Sequence, residues 1–153
     1  MLVMKFGGTS VGTGERIAGV AELVAGRLSE GPFVVVSAMG GVTDSLLALS
    51  RAAREGDRAA ADTALATLGE RHLAAIEALG LAPEAAAALR EEVARELARL
   101  GGLATGVALL GELSARTSDA ICAAGEILAA ALAAAALEKR GVATARVDPR
   151  EWM

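Results

Sequence analysis

A pair of glycines directly after a short apolar segment is the sequence feature that most restricts the fold of this chain. Residues 3–11 read VMKFGGTSV, so a predicted strand carries Lys5 and ends at Gly7 and Gly8. Glycine has no Cβ, so its backbone can approach a bound group closely and can adopt a positive φ. Successive backbone N–H groups in such a turn bind anions, and a lysine ammonium suits phosphate. We therefore predict a phosphate site at residues 7–10, called the first glycine turn below.

A second apolar segment ends in the same way. Residues 33–37 read FVVVS, follow the turn pair Gly31 and Pro32, and lead to Gly40 and Gly41 before a helical pattern begins. Residues 37–41 are called the second glycine turn below. Two strand, glycine and helix units in succession predict a parallel α/β sheet, in which ligands bind at the carboxyl ends of the strands and at helix N-termini.

Helical periodicity covers most of the remaining chain. A helix is predicted over residues 13–29 with Thr13 as its N-cap, and another from Thr43 or Asp44 to Arg54. Residues 57–112 contain no strand pattern. Leu68, His72 and Ile76 repeat there at helical spacing, and Pro83 suits the first turn of a helix. Two helices, separated at residues 80–83 and ended by Gly101 and Gly102, therefore predict an inserted helical hairpin.

The last helix is predicted over residues 116–139 and is apolar on nearly all sides, which indicates burial. Gly141 suits its C-terminal end, and residues 142–147 predict a third strand. Together these elements predict one partial α/β domain over residues 1–153. Its fold class is a three-layer α/β/α arrangement with a mainly parallel sheet, and the helical insert spans 57–112.

Composition excludes several classes of function. The net charge is −4, aromatic residues make up 2% of the chain and no basic stripe is present, so we expect no nucleic-acid partner. The single cysteine fits a reducing compartment. The apolar run 127–137 is too short to span a bilayer, and the N-terminus lacks a signal-peptide pattern, so we expect a cytoplasmic protein without a membrane partner.

Two common nucleotide-binding motifs are absent. A Walker motif needs a Gly-Lys pair, which this sequence lacks. The dinucleotide fingerprint fails because Ile17 stands where its third glycine should be. The glycine turns therefore represent another style of phosphate binding.

Three blocks of the sequence resemble aspartate kinases of the amino-acid kinase family. The first is KFGGTSV at residues 5–11, followed by Glu15, Arg16 and Ile17. The second is SAMGGVTD at residues 37–44. The third contains Arg116, Asp119, Gly125 and Glu126, and VDPR at residues 147–150 resembles a further segment. The helical insert also resembles that of the long aspartate kinases.

The resemblance implies transfer of the γ-phosphoryl group of ATP to the β-carboxylate of L-aspartate, the first step of lysine, threonine and methionine biosynthesis. It implies ATP with Mg²⁺ held mainly through the ATP phosphates, and no metal site of the protein's own. The resemblance implies that Lys5 is the catalytic cation. It implies that the ATP phosphates are bound by Lys5, Phe6, Gly7, Gly8, Thr9, Gly40 and Gly41. It implies that aspartate is bound by Ser37, Thr43 and Glu126.

The resemblance spans only the first half of the family's catalytic domain. The family's downstream substrate-binding arginine, glycine-rich segment and most ATP-binding residues have no counterpart here, so we expect weak or no kinase activity from this chain alone. Ala124 and Ala129 also depart from the family pattern, which has a bulkier residue and a serine at these positions. A sister kinase acting on another carboxylate or a carbamate is a weaker alternative.

A non-catalytic binding or oligomerisation module of the same fold is the main alternative function, because the apolar last helix would favour self-association. Single residues have structural alternatives too. In these alternatives Lys5 is only a solvated charge on a strand, Gly40 and Gly41 form an ordinary turn, and Thr43 caps the following helix. We expect His72 to be structural and half-buried, Cys122 to be a small buried hydrophobe, and the Arg116 and Asp119 pair to cap or pair at a helix start.

Overall fold

The computed structural model describes residues 1–148, in which helices pack on a two-stranded parallel sheet. Strand β1 (Leu2–Phe6) pairs with strand β2 (Pro32–Val36) in a register that sets Lys5 opposite Val35. Within this part of the chain five α-helices occur: α1 Gly14–Ala25, α2 Val42–Glu55, α3 Arg58–Leu79, α4 Pro83–Leu110 and α5 Ala115–Glu138.

Only one face of the sheet is covered by helices among the described residues. Met4, Phe6, Val34 and Val36 pack against the helical core. On the other face Val3, Phe33 and Val35 are 59%, 50% and 38% exposed. The predicted parallel α/β arrangement is therefore present, but the three-layer prediction is wrong for this part of the chain because α1 to α5 leave that face open.

The predicted third strand does not form. Residues 142–147 lie outside any strand, since a strand needs a neighbour for its backbone hydrogen bonds and this segment runs beside helices. Thr144 donates to Glu138 over 2.6 Å, and Arg146 pairs with Glu92 of α4. Pro149 and Arg150 of the predicted VDPR segment lie outside the described residues.

The helix predictions are confirmed in their number and order, with changes at their ends. Thr13 caps α1 by accepting from the Arg16 N–H, but α1 ends at Ala25 and a 3₁₀ turn, Leu28–Glu30, follows. The inserted hairpin is formed by α3 and α4. Helix α4 continues through Gly101 and Gly102, so the predicted break is wrong. A glycine in a helix costs about 1 kcal/mol relative to alanine, and burial of the apolar stripe that continues through Leu100, Ala104 and Val107 offsets this cost.

Helix α5 forms the centre of the core. Ile121, Leu128, Ala129 and Leu132 are at most 3% exposed, and α1, α2 and α4 pack around them. By length and composition α5 would be able to cross a membrane, since its most apolar 18-residue stretch has a mean hydropathy of 2.1, but 61% of that stretch is buried within the protein. A buried core helix has the same composition, so this hydropathy is explained by packing.

Candidate functional site

The two glycine turns meet at the carboxyl ends of the parallel strands. The Ser37 N–H donates to the Phe6 carbonyl over 3.0 Å, which continues the strand pairing into the turns. A Cβ on Gly8 would lie 2.9 Å from the Ala38 carbonyl oxygen and 3.6 Å from the Gly40 nitrogen. Such a contact is closer than any side chain tolerates, so only glycine allows the two turns to approach this closely.

The first glycine turn leaves backbone donors without partners. The N–H groups of Ser10 and Val11 donate to the Gly7 carbonyl over 2.8 and 3.3 Å. Those of Gly8 and Thr9 donate to no group within residues 1–148. Neither Gly7 nor Gly8 has a positive φ, so the expected left-handed conformation is not used here. The turn can therefore present two amides to an anion.

The second glycine turn leads directly into the N-terminus of α2. Gly41, with φ +79°, is the N-cap residue and provides no side chain to cap the helix. Among the described residues the N–H groups of Thr43 and Asp44 have no acceptor, as is usual for a first helical turn. Thr43 lies within that turn and is exposed, so the alternative in which it caps the helix is wrong. Free N–H groups and the helix dipole favour a negative ligand here.

Lys5 lies on the open face of the sheet, beside the turns in sequence. Its side chain is exposed and forms no hydrogen bond or ion pair with another described residue. The side chain of Phe6 lies on the opposite face and packs against the core, so Phe6 would meet a phosphate only through its backbone. Ser37 is partly buried, and its hydroxyl has no partner in the described chain.

Helix α5 brings Glu126 next to the second glycine turn. A Cβ on the preceding residue, Gly125, would lie 2.7 Å from Ala38 Cβ and 3.0 Å from Val42 Cγ1, so α5 packs tightly on the turn. Glu126 itself is exposed, and no ion pair links it to any residue from 1 to 148. The burial that the apolar pattern of the last helix indicates therefore does not extend to Glu126.

The start of α5 differs from the prediction as well. Ser114 is the N-cap, and its hydroxyl oxygen accepts from the Thr117 N–H over 3.1 Å. Arg116 is exposed, and within the described chain neither it nor Asp119 forms a hydrogen bond or ion pair. The prediction that these two residues cap or pair is therefore wrong, because serine occupies the capping position.

Arg71 of the insert reaches the second glycine turn, which sequence reasoning did not predict. Its Nη1 donates to the Gly40 carbonyl over 2.8 Å. A Cβ on Gly41 would lie 3.5 to 3.6 Å from the guanidinium atoms, so the group lies beside both glycines. The sequence gives only an indirect signal for this contact. Arg71 stands directly before His72, which lies on the buried face of α3.

His72 is fully buried rather than half-buried as predicted, and its structural role stays a prediction. Its Nδ1 lies 2.7 Å from the Leu68 carbonyl, so Nδ1 carries the proton and donates. Its Nε2 is buried and has no hydrogen-bond partner among residues 1–148, and His72 lines an apolar space, together with Val42 and Gly125, that has no room for water. Burial lowers the pKa of His72, because desolvation penalises the charged form of the ring.

Cys122 lies one turn before Glu126 on α5 and is partly buried. Burial raises the pKa of its thiol, and the negative charges of Asp119 and Glu126 raise it further. A raised thiol pKa argues against a nucleophilic role and agrees with the structural interpretation. Within residues 1–148 no group of three or more His, Cys, Asp or Glu residues is arranged to hold a metal ion.

Comparisons with known proteins identify the family of this chain. The family model described as "Amino acid kinase family" matches residues 1–153. Aspartokinase 1, chloroplastic, of Arabidopsis thaliana is 34% identical, over 97% of this chain and 25% of that protein. Aspartokinase 3, chloroplastic, of the same plant is 36% identical, over 97% of this chain and 26% of that protein.

A solved structure is similar over most of this chain. The crystal structure of E. coli aspartokinase III in complex with aspartate and ADP matches with a TM-score of 0.77 and 28% identity. The match covers 93% of this chain and 30% of that chain, so the sequence spans less than a third of these relatives. The chain belongs to the amino acid kinase family and is similar to part of the catalytic domain of aspartokinases.

Proposed function

We propose that this chain forms the phosphate- and aspartate-binding part of an aspartate kinase, which phosphorylates the β-carboxylate of L-aspartate with ATP. The observation that carries the proposal is the meeting of two glycine turns that leave backbone amides free, the second of which packs against Gly125 of α5. The similar E. coli enzyme was crystallised with aspartate and ADP, which supports the same pair of ligands here.

The residue types suit this reaction. The attacking carboxylate is already an anion, so the reaction needs positioning and charge neutralisation rather than a general base. Amides of Gly8, Thr9 and Gly41 would hold the transferred phosphate, and the Lys5 ammonium would neutralise charge on its oxygens. Ser37 and Thr43 would donate to phosphate or to the carboxylates of aspartate.

Glu126 would bind the α-ammonium of aspartate. Its carboxylate is exposed and forms no ion pair with a residue from 1 to 148, so it is free to accept a cation, and the preceding residue, Gly125, packs on the second glycine turn. Mg²⁺ would arrive with ATP, bound by its phosphates, since the free donors at the turns are N–H groups that suit phosphate oxygens rather than a metal.

Calorimetric titration of the 153-residue chain with L-aspartate, and separately with Mg·ATP, tests the proposal. Glu126→Gln should weaken aspartate binding by about tenfold or more, and Lys5→Met should do the same for Mg·ATP, as expected for lost charge-assisted contacts. Glu112→Gln and Arg90→Met are matched controls, because both side chains are exposed and unpaired in the described chain. Lack of binding of both ligands, or equal effects of controls and site variants, would contradict the proposal.

A non-catalytic module that associates through its sheet is the second candidate. The open face with Val3, Phe33 and Val35 favours it, whereas α5 does not, because most of its apolar residues are buried. In sedimentation experiments this candidate predicts a dimer that Phe33→Ser dissociates, together with ligand binding but no ADP release. Slow ADP release that depends on both aspartate and Lys5 would favour the enzyme.

A further inference from the structure

We propose that Arg71 is a positioning residue that fixes the second glycine turn in its anion-binding conformation, so that the helical insert is part of the site. This inference rests on the proposed function, because it names a further residue for the same phosphate site. The contact spans distant parts of the chain, from α3 in the insert to the turn after β2.

The contact fixes the orientation of one peptide group. Arg71 Nη1 donates to the carbonyl oxygen of Gly40 over 2.8 Å. In a trans peptide the carbonyl and the next N–H point in opposite directions. Holding the Gly40 carbonyl towards α3 therefore directs the Gly41 N–H away from α3, and this N–H has no acceptor among the described residues.

A glycine pair needs such a restraint. Gly40 and Gly41 lack Cβ atoms, and glycine gives up more conformational freedom on ordering than any other residue. The guanidinium lies along Gly41, with Nη1, Nη2 and Cζ within 3.6 Å of where a Cβ would be. A planar group with several donors restricts this turn more than a single flexible ammonium would.

The charge of Arg71 has no counterion among residues 1–148. No carboxylate in the described chain lies within ion-pair distance of Arg71, although other arginines of the insert, such as Arg95 and Arg99, pair with glutamates on their own helix. The neighbouring residue, His72, lines a buried space together with Val42 and Gly125, which fixes α3 beside α2 and the turn. Arg71 is therefore held at the turn by its own helix rather than by an ion pair.

The test compares Arg71→Met and Arg71→Lys with Arg90→Met, an exposed and unpaired arginine of α4, in the full chain. The ligand probe is inorganic tripolyphosphate, measured by calorimetry, and the structural probe is the ¹⁵N–¹H signals of Gly40, Gly41 and Val42. Arg71→Met should weaken tripolyphosphate binding about tenfold, the loss expected for one hydrogen bond from a charged donor. The substitution should also shift these signals and accelerate the exchange of these amide protons with solvent. The unfolding temperature of Arg71→Met should equal that of Arg90→Met.

Arg71→Lys separates positioning from charge. We expect only partial recovery of binding and of the native Gly41 signal, since lysine keeps the charge without the planar contact. Full recovery of binding by lysine with unchanged Gly41 signals in both variants would overturn the proposal in favour of a purely electrostatic effect. Unchanged signals and binding in Arg71→Met would overturn it as well.

The ¹⁵N–¹H signals of Gly40 and Gly41 also distinguish a failure of this proposal from a failure of the proposed function. If the unmodified chain does not bind tripolyphosphate, the proposed phosphate site loses its support. The comparison of Gly40 and Gly41 signals between Arg71→Met and Arg90→Met still decides whether Arg71 orders the turn, because it needs no ligand.

Discussion

Gly125 of α5 packs directly on Ala38 of the second glycine turn. A Cβ on Gly125 would lie 2.7 Å from the Ala38 Cβ, 3.0 Å from Val42 Cγ1 and 3.2 Å from Leu46 Cδ1. The absence of a side chain therefore sets how closely α5 approaches the turn and the start of α2. Since Glu126 is the next residue, the same contact sets where its carboxylate lies relative to the turn.

Gly125→Ala should lower the free energy of unfolding by about 1–3 kcal/mol, the usual cost of overpacking a core. The added methyl group would collide with Ala38 and Val42, both of which are buried. Urea unfolding followed by circular dichroism measures this change. We also expect weaker aspartate binding, because α5 must move away from the turn.

Gly102→Ala is the matched control for this substitution. Gly102 lies within α4 and is exposed, and a Cβ added to it would have no neighbouring atom within 4 Å. Alanine there should raise stability by up to about 1 kcal/mol, because it favours the helix. Equal effects of the two substitutions would show that helix propensity, and not packing against Ala38, decides the outcome at Gly125.

The sequence predicted what depends on local periodicity. The stripe through Leu68, His72 and Ile76 identified the buried face of α3, and Thr13 and Pro83 marked the starts of α1 and α4. These features are encoded within a few residues, so no tertiary information was needed.

Features that depend on a distant partner were missed. Residues 142–147 have a strand-like composition, but they find no neighbouring strand and contact α4 through Arg146 instead. The bond from Arg71 to Gly40 had no local signal, because it arises from the way α3 packs on α2. The exposure of Glu126 was also unpredicted, since an apolar helix pattern does not reveal which side neighbours leave open.

Stability should fall as the pH is lowered through the range in which His72 titrates. Burial lowers its pKa in the folded chain from 6.5, so the unfolded chain binds the proton more readily. The contribution is complete above pH 6.5 and is lost progressively as the pH falls towards the folded pKa. Between pH 7.5 and 5.5 the free energy of unfolding should drop by up to about 1.4 kcal/mol.

His72→Leu tests this assignment cleanly because His72 is the only histidine of the chain. The variant removes the titrating group and places an apolar side chain in an apolar space. Its stability, measured by urea unfolding at each pH, should change little between pH 7.5 and 5.5. A drop in the variant as large as that of the parent chain would assign the pH dependence to other groups.

Lys139 should contribute more to stability than its neighbour Arg140. Lys139 Nζ donates to the Leu79 carbonyl at the C-terminal end of α3 over 2.7 Å, where a cation also interacts favourably with the helix dipole. Arg140 pairs with exposed Glu22. We expect Lys139→Met to cost about 1–2 kcal/mol and Arg140→Met less than about 0.5 kcal/mol in urea unfolding. The reverse order would show that the contact with Leu79 adds nothing.

The reactivity of the Cys122 thiol should depend on the charge of Glu126. Because the Glu126 carboxylate, one helical turn away, helps to raise the thiol pKa, Glu126→Gln should lower that pKa and increase the thiolate fraction. Alkylation by iodoacetamide at pH 8 should then become about twofold faster, the size expected for one charge pair a helical turn apart. Cys122 is the only cysteine, so the rate needs no correction for other thiols.

Glu112→Gln, which changes the net charge equally, should leave the rate unchanged, and equal rates in the two variants would mean that Glu126 does not act on this thiol. Addition of L-aspartate should also accelerate alkylation in the parent chain if its ammonium neutralises Glu126, and this acceleration should disappear in Glu126→Gln.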